Sequence, residues 1–234
     1  MSLINRFLGI FFNPRETFRF LSEKPVWLDA LVILLIAVVV FTYIVGPYIQ
    51  QDELKRLEQN TKLRERIGED AYNQRLEFMR NPPKFMLILS LVLQPISVLI
   101  GLLLSSLIIL GLGRLTSTEG KYTQIFSAFI HANFINLVLG NALRILLAVS
   151  KKSVYQTTTS AAIFFPNLEV TSPAYIVLSQ FDLFQIWLFG VLAFGLSHIL
   201  KIELKKSLFI SYGFLLIKII LSITLGLLRA KTLG

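Results

Sequence analysis

The sequence contains no cysteine among its 234 residues and carries little charge. The lack of cysteine excludes disulfide bonds, thiolate catalysis and zinc sites with cysteine ligands. Charged residues make up 16%, against ~25% in an average soluble domain. Hydrophobic residues make up 54%, and the mean hydropathy is +0.67. This composition excludes a disordered chain and argues against an ordinary water-soluble domain.

The charge that is present is mostly positive, with 23 Lys and Arg residues against 14 Asp and Glu residues and a net charge of +9. Most of the cations flank apolar stretches, where they can contact acidic lipid headgroups. The sequence has no Lys/Arg-rich run with interleaved aromatic residues, so nucleic acid is not expected as a partner. The charge pattern therefore predicts contact with anionic membrane lipids.

Five long apolar stretches, nearly free of charge, define the expected architecture. Each is long enough to cross a bilayer, for which ~20 apolar residues suffice and ~17 is the short limit. Within hydrocarbon a helix satisfies its own backbone donors and acceptors, whereas an open strand does not. We therefore predict an all-α, polytopic integral membrane protein with five transmembrane helices, near residues 28–49, 85–112, 122–149, 183–200 and 207–228.

The rest of the chain divides into segments of different character. Residues 1–26 place apolar side chains at helical spacing, which predicts an amphipathic N-terminal segment lying in the membrane interface. The five-helix membrane domain then covers residues 27–234 and contains a charged, aqueous helical insert at 50–83. Residues 150–182 are nearly uncharged, and some order is expected there because structureless loops of this length are unusual. This loop is expected either to pack on the membrane surface or to be partly re-entrant.

Motifs of the common enzyme classes are absent. The sequence has no G-x-S-x-G elbow, no P-loop, no G-x-G-x-x-G and no H-E-x-x-H. The four aspartates lie at the edges of spans or in the aqueous insert, so no intramembrane carboxylate pair is available for acid–base chemistry. His131 and His198 have no further ligand in sequence range. We expect no catalytic residue, no cofactor and no metal, and therefore no enzyme.

The most costly charge inside a predicted span is Lys218. Lys218 is near the middle of the last apolar stretch, where a lysine costs about 2.5–3.5 kcal/mol on insertion scales. Such a charge needs a polar partner. The third span offers one helical face with amides and a second cation, formed by Asn133, Asn136, Gly140 and Arg144, with Asn141 beside it. We predict hydrogen bonds between Lys218 and these amides.

Two interpretations of this polar face remain open. The amides can act as interhelical contacts, at about 0.6–2 kcal/mol each. Alternatively, Lys218, Arg144, Asn133, Asn136 and Asn141 can form a site for an anionic headgroup or a small anion. The hydrocarbon part of the predicted spans contains no acid, so two cations without a counter-ion favour the anion site.

Three stretches carry a resemblance to a known family. They are NPRETFRFLSEKPVW at 13–27, EGKYTQIFSAFIHANF at 119–134 and FDLFQIWLFGVLAFGLSHILKIELKKSLFISYG at 181–213. With them the chain resembles the YIP family (Ypt/Rab-interacting proteins) in its short prokaryotic form. The resemblance covers most of the chain and implies a bundle of five membrane helices.

The resemblance also bears on partners and orientation. Eukaryotic members of the family act in vesicle traffic and membrane shaping, and they associate with Rab-type GTPases and with one another. Here the N-terminal tail has only 26 residues, a departure that argues against a Rab-type GTPase as a partner. Lys and Arg are nearly balanced between the two sides, so the positive-inside rule does not decide the orientation. The resemblance implies a cytoplasmic amino terminus and an outside carboxyl terminus in the cell membrane.

We therefore expect a non-catalytic scaffold of the YIP type. Its expected partners are membrane lipids, a further copy of the chain or another membrane protein, and its expected role is to shape or organise the membrane. The alternative is a small transporter or channel subunit, with a polar path along the third and fifth spans.

Overall fold

The computed structural model describes residues 1–155 and 159–233 of the chain. Within these ranges the fold is helical and has no β-strand; one isolated antiparallel bridge joins Ser160 to Asp182. The prediction of an all-α protein with five membrane-spanning helices is confirmed. The spans are Leu28–Glu58, Lys84–Arg114, Tyr122–Lys151, Leu183–Leu200 and Leu204–Lys231.

The outward faces of the spans are apolar and exposed. On the second span alone, Phe85, Ile88 and Leu104 are each more than half exposed. A patch of this size is unfavourable in water but stable against lipid chains, so the exposed faces fit a bilayer as solvent. The core lies where the third and fourth spans meet, and Phe134, Phe189 and Leu192 are almost completely buried there.

The first span is longer than the sequence analysis predicts. Its helix runs to Glu58, nine residues beyond the predicted end at residue 49. The added turns are charged, and an ion pair of 3.0 Å between Arg56 and Glu53 lies along the helix surface. Side-chain pairs three and four residues apart stabilise a solvated helix, which explains why the helix continues beyond the apolar stretch.

The insert at 50–83 has a small core of its own. It contains two short helices, Thr61–Ile67 and Glu69–Arg80. Leu63 and Tyr72 from these helices are buried against Leu57 at the end of the first span. The Tyr72 hydroxyl donates a hydrogen bond of 2.7 Å to the Leu57 carbonyl oxygen. The insert therefore folds back on the first span.

Two N-terminal helices precede the first span, α1 (Leu3–Phe12) and α2 (Pro14–Glu23). The sequence predicts that this segment lies in the membrane interface, but the structure packs one side of it into the protein. Phe18 and Leu21 are completely buried. Phe18 reaches the fourth span at Gly195, where a Cβ atom would lie only 2.9 Å from the Phe18 ring. The missing side chain at Gly195 therefore allows α2 to dock.

Polar contacts hold the N-terminal helices in place. The Gln124 side chain donates a 2.6 Å hydrogen bond to the Ser22 carbonyl oxygen, and Ser127 donates one of 2.6 Å to the Val26 carbonyl oxygen. Arg6 is only 3% exposed and forms an ion pair with Asp29 at the start of the first span. The ion pair and the two hydrogen bonds fix the N-terminal segment against the first and third spans.

The loop between the third and fourth spans is ordered in the parts that the structure describes; residues 156–158 lie outside them. It contains a 3₁₀-helix at Ala161–Phe164 and an α-helix at Pro173–Leu178. The second helix packs against the fifth span, where Ile176 lies so close to Gly226 that a Cβ there would be 2.8 Å away. The loop therefore folds back beside the bundle, which brings its last residues close to the fifth span.

Candidate functional site

A π-helical segment interrupts the third span at Phe134–Gly140. Sequence spacing alone predicts a regular α-helix here. In the structure, the backbone N–H of Asn141 donates to the carbonyl oxygen of Asn136, five residues back. A π-helical turn holds more residues than an α-helical one, and such insertions shift the register of the side chains beyond them. The segment thereby changes which residues of this span share a face.

The shifted register brings Arg144 onto the amides of its own span. The Arg144 guanidinium donates to the side-chain oxygens of Asn136 and Asn141, both at 3.0 Å, and to the Asn136 carbonyl oxygen at 3.2 Å. Its guanidinium also lies 5.5 Å from the centre of the Phe184 ring. Three of the predicted site residues, Arg144, Asn136 and Asn141, therefore form one hydrogen-bonded group.

An acid that the sequence analysis did not place in the site completes this group. Asp182 accepts a 3.0 Å hydrogen bond from Arg144 through Oδ2, and this ion pair is largely buried. The same oxygen also accepts from the Thr159 hydroxyl. Through Oδ1, Asp182 caps the fourth span by accepting from the backbone N–H groups of Phe184 and Gln185. The expectation that Arg144 has no counter-ion was therefore wrong.

Lys218 has a different partner from the predicted one. Its Nζ donates a 2.7 Å hydrogen bond to Oε1 of Gln185, in the first turn of the fourth span, and not to an amide of the third span. The reason is the short fourth span, whose 18 residues cover ~27 Å. The fifth span runs back in the opposite direction from Leu204. Lys218 lies 14 residues after Leu204, a distance of ~21 Å along its helix, and this distance brings it level with the first turn of the fourth span.

Asn133 is not part of the group. Its amide nitrogen donates a hydrogen bond of 2.8 Å to the carbonyl oxygen of Phe129, one turn earlier in the third span. This side chain therefore bonds within its own helix and not with Arg144 or Lys218. Sequence reasoning missed Asp182, Gln185 and Thr159 as members of the site. The available signal was Asp182 itself, which is the one acid immediately before the fourth span and thus a natural helix cap.

A family model, the Yip1 domain, matches residues 8–226 of the chain. The chain belongs to the Yip1 family. The match covers nearly the whole sequence, so the resemblance to the YIP family is confirmed and the protein is a multi-pass membrane protein of the YIP type. No curated protein and no solved structure matches the chain. The Yip1 family is not a known enzyme family.

This Yip1-family chain has a second polar group inside the bundle, formed by His131 and the backbone of Ser127 in the third span. His131 is completely buried, and its Nδ1 lies 2.8 Å from the Ser127 carbonyl oxygen. Its ring also packs edge-on against Phe134, with the ring centres 5.5 Å apart. Among residues 1–155 and 159–233, no three His, Asp or Glu side chains lie close enough to hold a metal ion.

A third polar group anchors the start of the loop between the third and fourth spans to the end of the first span. Asp52 is 7% exposed and accepts hydrogen bonds from the Ser153 hydroxyl at 2.9 Å and the Val154 N–H at 2.6 Å. Tyr155 donates from its hydroxyl to the neighbouring Glu53. Burial, and then this hydrogen bond to Glu53, raise the pKa of Tyr155 above its usual value. The geometry is that of a structural anchor, since carboxylate oxygens here accept from backbone and hydroxyl donors.

Proposed function

We propose that this protein is a non-catalytic membrane scaffold. It contacts lipids and membrane partners, and it curves the membrane by inserting into one leaflet. The observation that supports this function most strongly is the outer face of α1. Ile4, Leu8 and Phe12 are 70%, 47% and 83% exposed, while the opposite face of the N-terminal helices is buried in the protein. Spaced four residues apart, these three side chains form one apolar stripe on the helix.

We place the stripe in the leaflet on the side where α2 ends, because Ser22 and Val26 contact the start of the third span there. An amphipathic helix inserts its apolar face into the boundary between headgroups and acyl chains. Inserted on one side of a rigid bundle, it enlarges that leaflet relative to the other. This asymmetry favours curvature, with the N-terminal side convex.

Orientation and partners follow from the same proposal. We place the amino terminus in the cytoplasm and the carboxyl terminus outside, in the cell membrane, and the stripe therefore in the cytoplasmic leaflet. The net charge of +9 favours anionic lipids as the main contact. A further copy of the chain or another membrane protein is the proposed protein partner, through the exposed apolar faces of the spans. A Rab-type GTPase and nucleic acid are not proposed as partners.

The alternative, a small transporter or channel subunit, has less support. Hydrogen bonds of 3.0–3.2 Å join Arg144 to Asn136 and Asn141 of its own span, and an ion pair of 3.0 Å joins it to Asp182. The cavity beside Lys218 has a volume of ≈ 70 Å³. Pockets for small molecules usually hold ~300–1,000 Å³. A closed polar group and a small cavity favour a static scaffold.

Vesicle remodelling tests the scaffold function. We expect the purified protein, reconstituted into vesicles of phosphatidylglycerol and phosphatidylcholine, to convert a large share of them into tubules or small vesicles seen by electron cryo-microscopy. The variant Ile4→Ser, Leu8→Ser, Phe12→Ser should lose at least half of this conversion, because the stripe no longer inserts. The altered side chains lie on the surface, so the thermal midpoint should stay within a few degrees of the parent value.

The matched control is the double variant Phe78→Ser, Leu115→Ser, which removes exposed apolar side chains outside α1. It should remodel vesicles as the parent protein does. Vesicles that keep their size with the parent protein, or remodelling that persists at the parent level in the triple serine variant, would contradict the proposed function.

A further inference from the structure

A small groove lies between the fifth span, the start of the fourth span and the loop before it. Its volume is ≈ 70 Å³, and it is open on one side. The polar groups that line it are Ser179, Gln180, Asp182, Gln185 and Lys218. Leu215 and Ile219 form the apolar part of its wall. In this groove Lys218, in the middle of the fifth span, lies beside polar groups of the loop.

The charges around the groove do not cancel. Lys218 and Asp182 line the groove, and Arg144 lies behind it within electrostatic range of Lys218. Among the described residues, Asp182 is the one carboxylate that lines it. Both oxygens of Asp182 already accept, Oδ1 from two backbone N–H groups and Oδ2 from Arg144 and Thr159. Arg144 and Asp182 therefore compensate each other. The charge of Lys218 remains, and its one hydrogen bond among the described residues is to the neutral amide of Gln185.

Donors at the groove remain unused among the described residues. Gln185 accepts from Lys218 through Oε1, and its Nε2 hydrogens make no hydrogen bond there. An ammonium has three donors, and the bond to Gln185 uses one of them. Ammonium and amide donors side by side are the chemistry that binds phosphate and other oxyanions. A cation or a neutral apolar ligand would leave the Lys218 charge without compensation.

The surroundings select a lipid as the source of the anion. Lys218 is exposed at the surface of the bundle, and exposed apolar residues of the fifth span flank it on both sides, namely Leu216, Ile217, Ile220 and Leu221. A volume of ≈ 70 Å³ admits a phosphate group but cannot enclose a metabolite of ordinary size. A phospholipid meets both conditions, because its phosphate can enter the groove while its acyl chains run towards the bilayer centre and cover Leu216 and Ile217.

We propose that the groove at Lys218 binds the phosphate of one anionic phospholipid, which Lys218 and Gln185 hold directly. The proposal rests on the lipid contact proposed above and names the residues and the lipid class. The lipid lies on the side of the membrane opposite to Ser22 and Val26, because the groove adjoins the loop between the third and fourth spans, whereas these two residues contact the start of the third span. A single negative headgroup compensates the single excess charge.

Native mass spectrometry on protein released from phosphatidylglycerol–phosphatidylcholine nanodiscs tests this proposal. We expect the parent protein to retain one phosphatidylglycerol in preference to phosphatidylcholine. Lys218→Met should lower the affinity for this lipid about tenfold, because one charge-assisted hydrogen bond is lost. Gln185→Glu should lower it similarly while keeping Lys218, since the new carboxylate pairs with the lysine and repels phosphate.

Lys206→Met is the matched control, because it removes an exposed lysine from the first turn of the same helix. It should retain the lipid as the parent does, and 10 mM inorganic phosphate should not displace it. Parent-like retention in either Lys218→Met or Gln185→Glu, an equal loss in Lys206→Met, or displacement by free phosphate would overturn the proposal. The vesicle assay with the α1 variant is independent of these outcomes, so the two proposals can fail separately.

Discussion

Replacing Arg144 by leucine should lower the free energy of unfolding by about 3 kcal/mol or more, the largest effect expected from any single change at the polar site. The reason is that Asp182 then loses its cationic partner while its carboxylate stays only 14% exposed. The hydrogen bonds to Asn136 and Asn141 are lost with it. Equilibrium unfolding in mixed micelles, followed by circular dichroism, measures this difference.

Two further variants separate the ion pair from general effects of the substitution. Lys151→Leu removes an exposed cation from the end of the same span and should change the stability by less than 1 kcal/mol. Asp182→Asn in the Arg144→Leu background should recover part of the lost stability, because an amide still caps the fourth span and leaves no unpaired charge. An Arg144→Leu protein as stable as Lys151→Leu would show that the ion pair is not important for the fold.

Replacing Phe18 by alanine should detach the N-terminal helices from the bundle. Phe18 is completely buried between α2 and the fourth span, and removal of a buried phenylalanine costs about 3–5 kcal/mol. The cost falls on a local contact, so α1 and α2 should undock before the five spans unfold. Hydrogen–deuterium exchange should then show at least tenfold faster exchange in residues 1–24, with the fourth span unchanged beyond Gly195.

Phe12→Ala is the control for this experiment, since the same type of residue is 83% exposed there. Its exchange should match the parent protein within a factor of two. Gly195→Val provides an independent route to the same state, because its side chain would overlap the Phe18 ring and the Ala128 methyl group. If Phe18→Ala and Gly195→Val both leave residues 1–24 protected, the docked arrangement of the N-terminal helices is contradicted.

The spans could be predicted from the sequence because a bilayer imposes a simple rule on it. A stretch of about 20 residues without charge has few alternatives to a membrane helix. The bounds of the fourth span matched the prediction of 183–200, because Asp182 and Lys201 mark its two ends. The end of the first span did not, because the helix continues beyond residue 49 into a charged stretch, where a side-chain ion pair supports it.

The polar site was predicted in its residue types but not in its contacts. Asn136, Asn141 and Arg144 come together as the sequence suggested, but through a π-helical segment that the α-helical spacing does not reveal. The partner of Lys218 depends on which turn of the fourth span lies beside it, and that depth follows from tertiary packing alone. The docking of α1 and α2 was missed for the same reason. An amphipathic face predicts burial, but it does not say whether lipid or protein covers it.

The five-span fold is tested most directly by measuring on which side of the membrane each connecting segment lies. The chain has no cysteine, so single cysteines can be introduced one at a time and labelled with a membrane-impermeant maleimide in right-side-out and inverted vesicles. With five crossings, three exposed positions should label from one side only: Lys24→Cys, Thr118→Cys and Glu203→Cys. Three others should label only from the opposite side: Glu65→Cys, Lys151→Cys and Lys231→Cys. A position that labels with the wrong group, or termini that label from the same side, would contradict the five-span fold.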